Sequence, residues 1–455
     1  MTLDSQPRPK TTQDDPAQWT AAKRKRYGWL ITIALLVLMM ISWADKAILG
    51  IVAVPLMRDL EITPQQFGLL GSAVFMLFGV AQFVAAPIAN KVKSKWILLV
   101  LCLLWSVAQV PIFVFASLPA LWASRLILGA GEGPLAPVTM HAVYKWFPAK
   151  RSATPAAVAS AGVTLGVVAF APVLAWINAE FGWKSTFFFL AVIGVVWSLI
   201  WLVVGKEGPY TSVQAERDIE GQLEEPLDSA LVQASDTPVR YLRSFMTPSW
   251  IFAVLCSFLG YWTFTVATTW LPAYYEESMG MSTQQAGSLI ALPAIWGFVA
   301  TIGLSWLTEF LVNRGASTRK ARGVVLGAAA TASGVLVVLG TLAQNDVLAV
   351  LCFMFGFGTA PALFAVTYLV AAEMTTIQQR GAVLQITNAF LTAGGLVAPM
   401  FVGFMVGAAT TPNVGYLSAF SITGGALALC GVLSMLFINQ QRDRAKLGLD
   451  IKTFV

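Results

Sequence analysis

Twelve apolar stretches, each long enough to cross a bilayer as a helix, dominate this 455-residue chain: 29–52, 66–89, 96–116, 120–144, 153–178, 184–205, 247–275, 285–311, 323–343, 347–372, 381–408 and 414–437. A spanning helix needs about 20 mostly apolar residues, because in lipid the backbone N–H and C=O groups can bond only to each other. Composition agrees: 57% of residues are hydrophobic, 11% are charged and the mean hydropathy is +0.71. Soluble domains carry about 25% charged residues. A soluble enzyme with an anchor is therefore excluded, and an all-α, multi-pass membrane protein is predicted. The net charge of +6 reads as basic loops, not as a nucleic-acid-binding face. Cys102, Cys256, Cys352 and Cys430 lie in four different stretches with no CxxC or Cys/His cluster. They read as packing residues, and neither metal nor cofactor is expected.

The basic residues set the orientation. Lys23 to Arg26, Lys91, Lys93, Lys95, Lys145, Lys150, Arg151, Arg314, Arg319, Lys320, Arg322, Arg380, Arg442, Arg444 and Lys446 all fall on one side. The opposite loops hold little beyond Arg58 and Lys184 and carry acids such as Glu276 and Glu277. The positive-inside rule places the basic side, and both termini, in the cytoplasm of a cell (inner) membrane. The predicted organisation is a cytoplasmic N-terminal tail (1–28), a first six-helix bundle (29–205), a polar cytoplasmic linker (206–246), a second six-helix bundle (247–437) and a cytoplasmic C-terminal tail (438–455). No cleavable signal peptide is read in residues 1–28, whose polar run ends in four basic residues.

The halves read as repeats. "ITPQQFG" (62–68) before the second span matches "MSTQQAG" (281–287) before the eighth, at an offset of 219. "GAGEGP" (129–134) in the fourth matches "GFGTAP" (356–361) in the tenth, at an offset of 227, which also maps Pro172 onto Pro399. Parallel repeats of six spans are an architecture of secondary transporters. Four charges lie inside spans of the first half: Asp45, Lys46, Arg125 and Glu132. Each costs roughly 2.5 to 3.5 kcal/mol at a bilayer centre on insertion scales. Their counterparts are Phe264, Thr265, Cys352 and Thr359, all uncharged. A structural role common to both halves would have kept the charges. An asymmetric function explains their loss, and a mutually neutralising buried network is compatible with it.

At Asp45-Lys46, "SRLILGAGEGP" (124–134), "TWLPAYYEESMGMSTQQAG" (269–287) and "GLSWLTEFLVNRG" (303–315) the chain resembles the major facilitator superfamily, specifically its anion:cation symporter family of organic-acid permeases. The resemblance implies twelve helices in two pseudo-symmetric bundles. It implies that Lys46 binds the substrate carboxylate, that Asp45 and Glu132 carry protons, and that Arg125 partners the fourth-span acid. It further implies neutral substrate contacts from Thr367, Tyr368 and Asn388. The loop signature departs from the family, with Asn90-Lys91 for Asp-Arg and Glu309 where Asp is usual in the second copy. Phe78 stands where a tyrosine is common and Val163 where a glutamine meets sugar hydroxyls. With Trp43, Tyr261, Trp262 and Phe264 these make the site less polar than in sugar-acid carriers.

The function expected is therefore not enzymatic. It is proton-coupled symport of an organic carboxylate by a monomer, leaning toward an aromatic or apolar acid. In this reading Lys46 and ionised Asp45 form a neutral pair that protonation of Asp45 unmasks, and Glu132 acts likewise on Arg125. The alternatives are a sugar-acid (aldonate or hexuronate) symporter, or an exchanger or uniporter of the same fold. An ATP-driven pump would need a phosphate-binding GxxxxGK[ST] loop, which the sequence lacks. The single histidine, His141, reads as structural.

Overall fold

The computed structural model describes residues 19–89, 91–148, 151–210, 241–375 and 379–449, and its elements are helical throughout. Eleven helices or abutting helix pairs are long and apolar enough to cross a membrane. The fourth span makes the twelfth. It breaks at Gly133–Pro134 into Leu118–Glu132 and Leu135–Tyr144, and it carries the two charged residues Arg125 and Glu132. Proline supplies no N–H and its ring crowds the preceding turn, so a continuous helix is disfavoured there.

The repeat is written into the element boundaries. The tenth span breaks at Ala360–Pro361 between Asp346–Thr359 and Ala362–Glu373, 227 residues after the break in the fourth. The fifth and eleventh spans, Ala153–Phe181 and Arg380–Ala408, start and end 227 residues apart, with Pro172 and Pro399 at equivalent places. The second span, Pro64–Ala89, and the eighth, which begins at Thr283, start 219 residues apart.

Two tails differ from expectation. The first helix runs Ala21–Ile51, so it starts eight residues before the predicted 29 and places Lys23 to Arg26 on its first turns. Ala, Lys and Arg are strong helix formers, and the Thr20 side chain accepts a hydrogen bond from the Lys23 N–H. At the other end Gln440–Leu447 is a helix closed by Gly448 at φ 70°. Its buried Asp443 accepts from the Ser249 N–H (2.9 Å) and hydroxyl (2.7 Å) at the start of the seventh span. Asn90, the departure noted in the loop signature, lies outside the described residues. Glu309 is exposed.

The halves meet at the end away from the basic loops. Spans one and seven, two and eleven, and five and eight approach one another there through glycines. A Cβ on Gly50 would stand 2.1 Å from the Thr268 carbonyl oxygen, and one on Gly403 would stand 2.4 Å from that of Pro64. Trp270 donates its indole N–H to the Pro399 carbonyl (3.0 Å) and packs edge-on to Phe67 at 4.9 Å. The apolar cluster here is continuous across both halves, joining Ile48, Leu70 and Leu174 to Trp270, Phe357 and Phe420. This end is closed.

The closure generates a test. Gly403→Val places a side chain where only backbone fits, between the halves and not inside either one. It should hold this end open. A cysteine introduced at Thr269, buried in this contact, should react with maleimide severalfold faster in the Gly403→Val background. The four native cysteines are buried and should give little background. An unchanged rate would show that the contact does not govern access.

Candidate functional site

Consecutive helical residues point about 100° apart, so Asp45 and Lys46 cannot share a direction. Asp45 turns into the first bundle, where it is fully buried. Gln109 of the third span donates its amide N–H to Asp45 Oδ1 at 2.8 Å. Arg125 of the fourth donates Nη1–H to the Asp45 main-chain oxygen at 3.4 Å and lies 5.2 Å from the centre of the Phe187 ring. Asp45 Oδ2 and Arg125 Nε and Nη2 have no hydrogen-bond partner among the described residues.

Lys46 turns toward the second half. Its Nζ lies 2.7 Å from Glu132 Oε2, and it donates to Ser42 Oγ at 3.2 Å. The Ser42 hydroxyl in turn donates to Glu132 Oε1 at 2.7 Å. The Lys46 side chain keeps 12% exposure, while that of Glu132 has none.

The structure thus corrects the expected partners. Lys46 pairs with Glu132 instead of Asp45, and Arg125 reaches Asp45 instead of Glu132. Seven residues separate Arg125 from Glu132, roughly 10.5 Å along one helix, too far for a direct pair even on one face. Two participants were missed. Gln109 carries a signal, since an amide inside "WSVAQVPIF" must find a polar partner in the bundle interior. Ser42 carries none, because a span serine satisfies itself equally well on its own helix.

A cavity of about 470 Å³ lies between the halves, within the size range of small-molecule sites. It reaches from Thr268, near the closed end, to Ala157 and Tyr368 toward the basic-loop end. Trp43, Val163, Tyr261, Phe264, Tyr368 and Asn388 contribute to its wall. Tyr368 donates its hydroxyl to Asn388 Oδ1 (2.8 Å), and Asn388 Nδ2–H donates across the halves to Gln82 Oε1 (3.4 Å). Trp43 meets Phe264 edge-on at 5.5 Å, and Tyr261 meets Phe75 likewise at 5.8 Å.

Four residues expected at the site are not in this wall. Lys46 does not form the cavity wall but lies beside it, its Nζ 4.9 Å from the centre of the Trp43 ring and 5.8 Å from that of Phe78. Phe78 likewise is not among the residues that form the wall. Thr367 is fully buried and turned to the seventh span, donating to the Ala253 carbonyl (3.0 Å) and accepting from Ser257 (2.7 Å). Its neighbour Tyr368 takes the cavity-facing direction. Trp262 bonds Thr423 at 3.2 Å and packs on Phe401, so it joins spans inside the second bundle.

Residues 34–399 match the family described as Major Facilitator Superfamily. The protein named "Probable galactarate/D-glucarate transporter" from Bacillus subtilis (strain 168) is 25% identical over 433 residues, covering 92% of this chain and 93% of the relative. The D-galactonate transporter of Escherichia coli O6:H1 is 25% identical over 423 residues, covering 89% and 95%. The crystal structure of a D-xylose–proton symporter aligns with a TM-score of 0.69 at 14% identity, over 91% of this chain and 98% of that one.

The Asp45 island yields a prediction. Gln109→Leu removes the amide on a buried carboxylate, a loss worth about 1 to 3 kcal/mol or more. The unfolding midpoint of the purified protein should fall. Adding Asp45→Asn should recover part of it, because the unpaired charge goes too. Simple additivity of the two losses would mean that the side chains do not interact.

Proposed function

The chain belongs to the Major Facilitator Superfamily of transporters, and from that premise we propose that it is a proton-coupled symporter of its anion:cation branch, taking up an organic carboxylate across the inner membrane with both termini cytoplasmic. The observation that carries this reading is the Lys46–Glu132 pair beside the cavity. While Glu132 is ionised, the positive charge of Lys46 is matched and an entering anion gains little. Protonating Glu132 removes the match and leaves the ammonium group for a carboxylate arriving past Trp43. Proton and anion then favour each other's binding, and the coupling is reciprocal. Asp45 offers a second protonatable carboxylate, held by Gln109 and near Arg125. Two protons with one monoanion would move one net positive charge, worth about 2.3 kcal/mol per 100 mV. The closed end and the cavity reaching toward the basic loops fit a state facing the cytoplasm.

For the substrate we infer a sugar acid of the aldonate or aldarate kind. The relatives named for galactarate, D-glucarate and D-galactonate support it, and the Tyr368–Asn388–Gln82 chain offers donors and acceptors to hydroxyl groups. This moves the aromatic acid favoured by sequence to second place. That second reading keeps one specific support, the apolar wall of Trp43, Val163 and Phe264.

Purified protein in proteoliposomes tests the proposal. An acidic exterior should drive transient accumulation of D-galactonate or D-glucarate, and a protonophore should abolish it. Accumulation that ignores the proton gradient and follows a counter-anion would establish exchange instead. Lys46→Gln should abolish binding while the protein still inserts and folds, and Lys46→Arg should keep part of it. Glu132→Gln mimics the protonated form permanently. It should retain exchange of labelled for unlabelled substrate and lose gradient-driven accumulation. A Glu132 that serves structure alone predicts joint loss of both in an unstable protein, since breaking a buried pair costs roughly 3 to 5 kcal/mol.

A further inference from the structure

Several hydroxyls inside the spans turn back on their own helix. Thr32 donates to the Gly28 carbonyl, Thr265 to that of Tyr261 and Thr359 to that of Phe355, each four residues earlier. Such a bond satisfies the hydroxyl without any neighbour. Ser42 instead sends its hydroxyl off the first span, to Glu132 Oε1 of the fourth at 2.7 Å. The repeat sharpens the contrast. Thr265 and Thr359 are the counterparts of Lys46 and Glu132 in the second half, where the carboxylate is missing and both hydroxyls stay on their own helices.

Donor and acceptor capacity fixes the direction of each bond. An ionised carboxylate only accepts and an ammonium group only donates. Between them the hydroxyl gives its one proton to Glu132 and receives one from Lys46, at 2.7 and 3.2 Å. Ser42 is buried and the Glu132 side chain has no exposure, so bulk water does not make good a lost hydroxyl. A hydrogen bond donated to an ionised carboxylate favours the ionised form over the neutral acid. Ser42 is absent from the cavity wall, so it acts through Lys46 and Glu132 and not on the substrate.

We propose that Ser42 is a positioning residue that sets the pH at which Glu132 takes up a proton and so gives up Lys46. This rests on the Lys46–Glu132 pair acting as the proton-dependent site. Ser42 holds the carboxylate ionised, and the ammonium group beside it, until the surroundings are acidic enough to neutralise Glu132. The other charged and titratable groups around Glu132 are Asp45 on the first span, Arg125 on its own span and Tyr261 on the seventh. The second span carries no titratable side chain, the third carries Lys95 at its start and Cys102, and the continuation of the fourth carries His141 and Tyr144. A substitution at Ser42 leaves all of these in the chain, so a change in the titration of Glu132 reports the hydroxyl.

Infrared titration of the purified, substrate-free protein tests this. The carboxylic-acid carbonyl band of Glu132 is the one missing from Glu132→Gln. In Ser42→Ala that band should appear at a pH higher by about one unit or more, because the ionised form has lost a charge-assisted hydrogen bond. Ser42→Thr keeps a hydroxyl on the same carbon and should keep the wild-type midpoint. A serine that serves packing alone would alter stability and leave the midpoint where it is. An unmoved midpoint in Ser42→Ala, a shift to lower pH, or a Glu132 band that titrates in neither protein would overturn the proposal. So would a shift in Ser42→Thr as large as that in Ser42→Ala. Gradient-driven uptake of D-galactonate by the wild type is measured separately. If uptake ignores the proton gradient while the band still shifts, symport fails and the hold of Ser42 on Glu132 stands.

Discussion

Charge placed inside an apolar bundle must be matched within reach, and this requirement organises the first half of the molecule. An unmatched ion at the bilayer centre costs roughly 2.5 to 3.5 kcal/mol on insertion scales. The chain meets this with two clusters that share the first span. Asp45, Gln109 and Arg125 lie inside the bundle, while Lys46, Glu132 and Ser42 lie on the side turned to the second half. All six residues come from the first, third and fourth spans. Rocking of one half against the other therefore leaves both clusters intact. At the equivalent positions the second half has the uncharged Phe264, Thr265, Cys352 and Thr359, and it supplies a neutral aromatic wall through Tyr261, Phe264 and Tyr368.

The spans and the internal repeat were readable in the sequence, because each is a local property of the chain. A run of apolar residues predicts its own helix, and Pro134 and Pro361 interrupt theirs whatever surrounds them. Who pairs with whom was not readable. It depends on how neighbouring helices are rotated about their axes, which no single segment encodes. Adjacency in "ADK" suggested an Asp45–Lys46 pair, yet the helical screw sends the two side chains to different neighbours. The same screw separates Thr367, sealed against Ala253, from Tyr368, open to the cavity. The charged tails deceived in the opposite sense. Polarity hid the helical start at Ala21 and the docked helix Gln440–Leu447.

The substrate illustrates how the two kinds of reasoning trade places. Side-chain identity at Val163, Phe78 and Trp43 argued for an apolar acid. Of these, Trp43 and Val163 form part of the cavity wall, while Phe78 lies beside Lys46. The polar chain of Tyr368, Asn388 and Gln82 crosses between the halves and was invisible as a unit, because Gln82 and Asn388 lie 306 positions apart.

The closed end is made largely of backbone against glycine, as at Gly50 with Thr268 and Gly403 with Pro64. Glycine has no rotamers to immobilise, whereas ordering a long side chain forfeits up to about 2 kcal/mol of conformational entropy. At these contacts the two halves can therefore part and rejoin without a change in side-chain order. Opening still exposes the apolar cluster around Ile48, Leu70 and Trp270, so the balance between states rests there on hydration of apolar surface, a quantity that weakens on cooling. Temperature, more than any single bond, is then the variable to which the poise of this end answers.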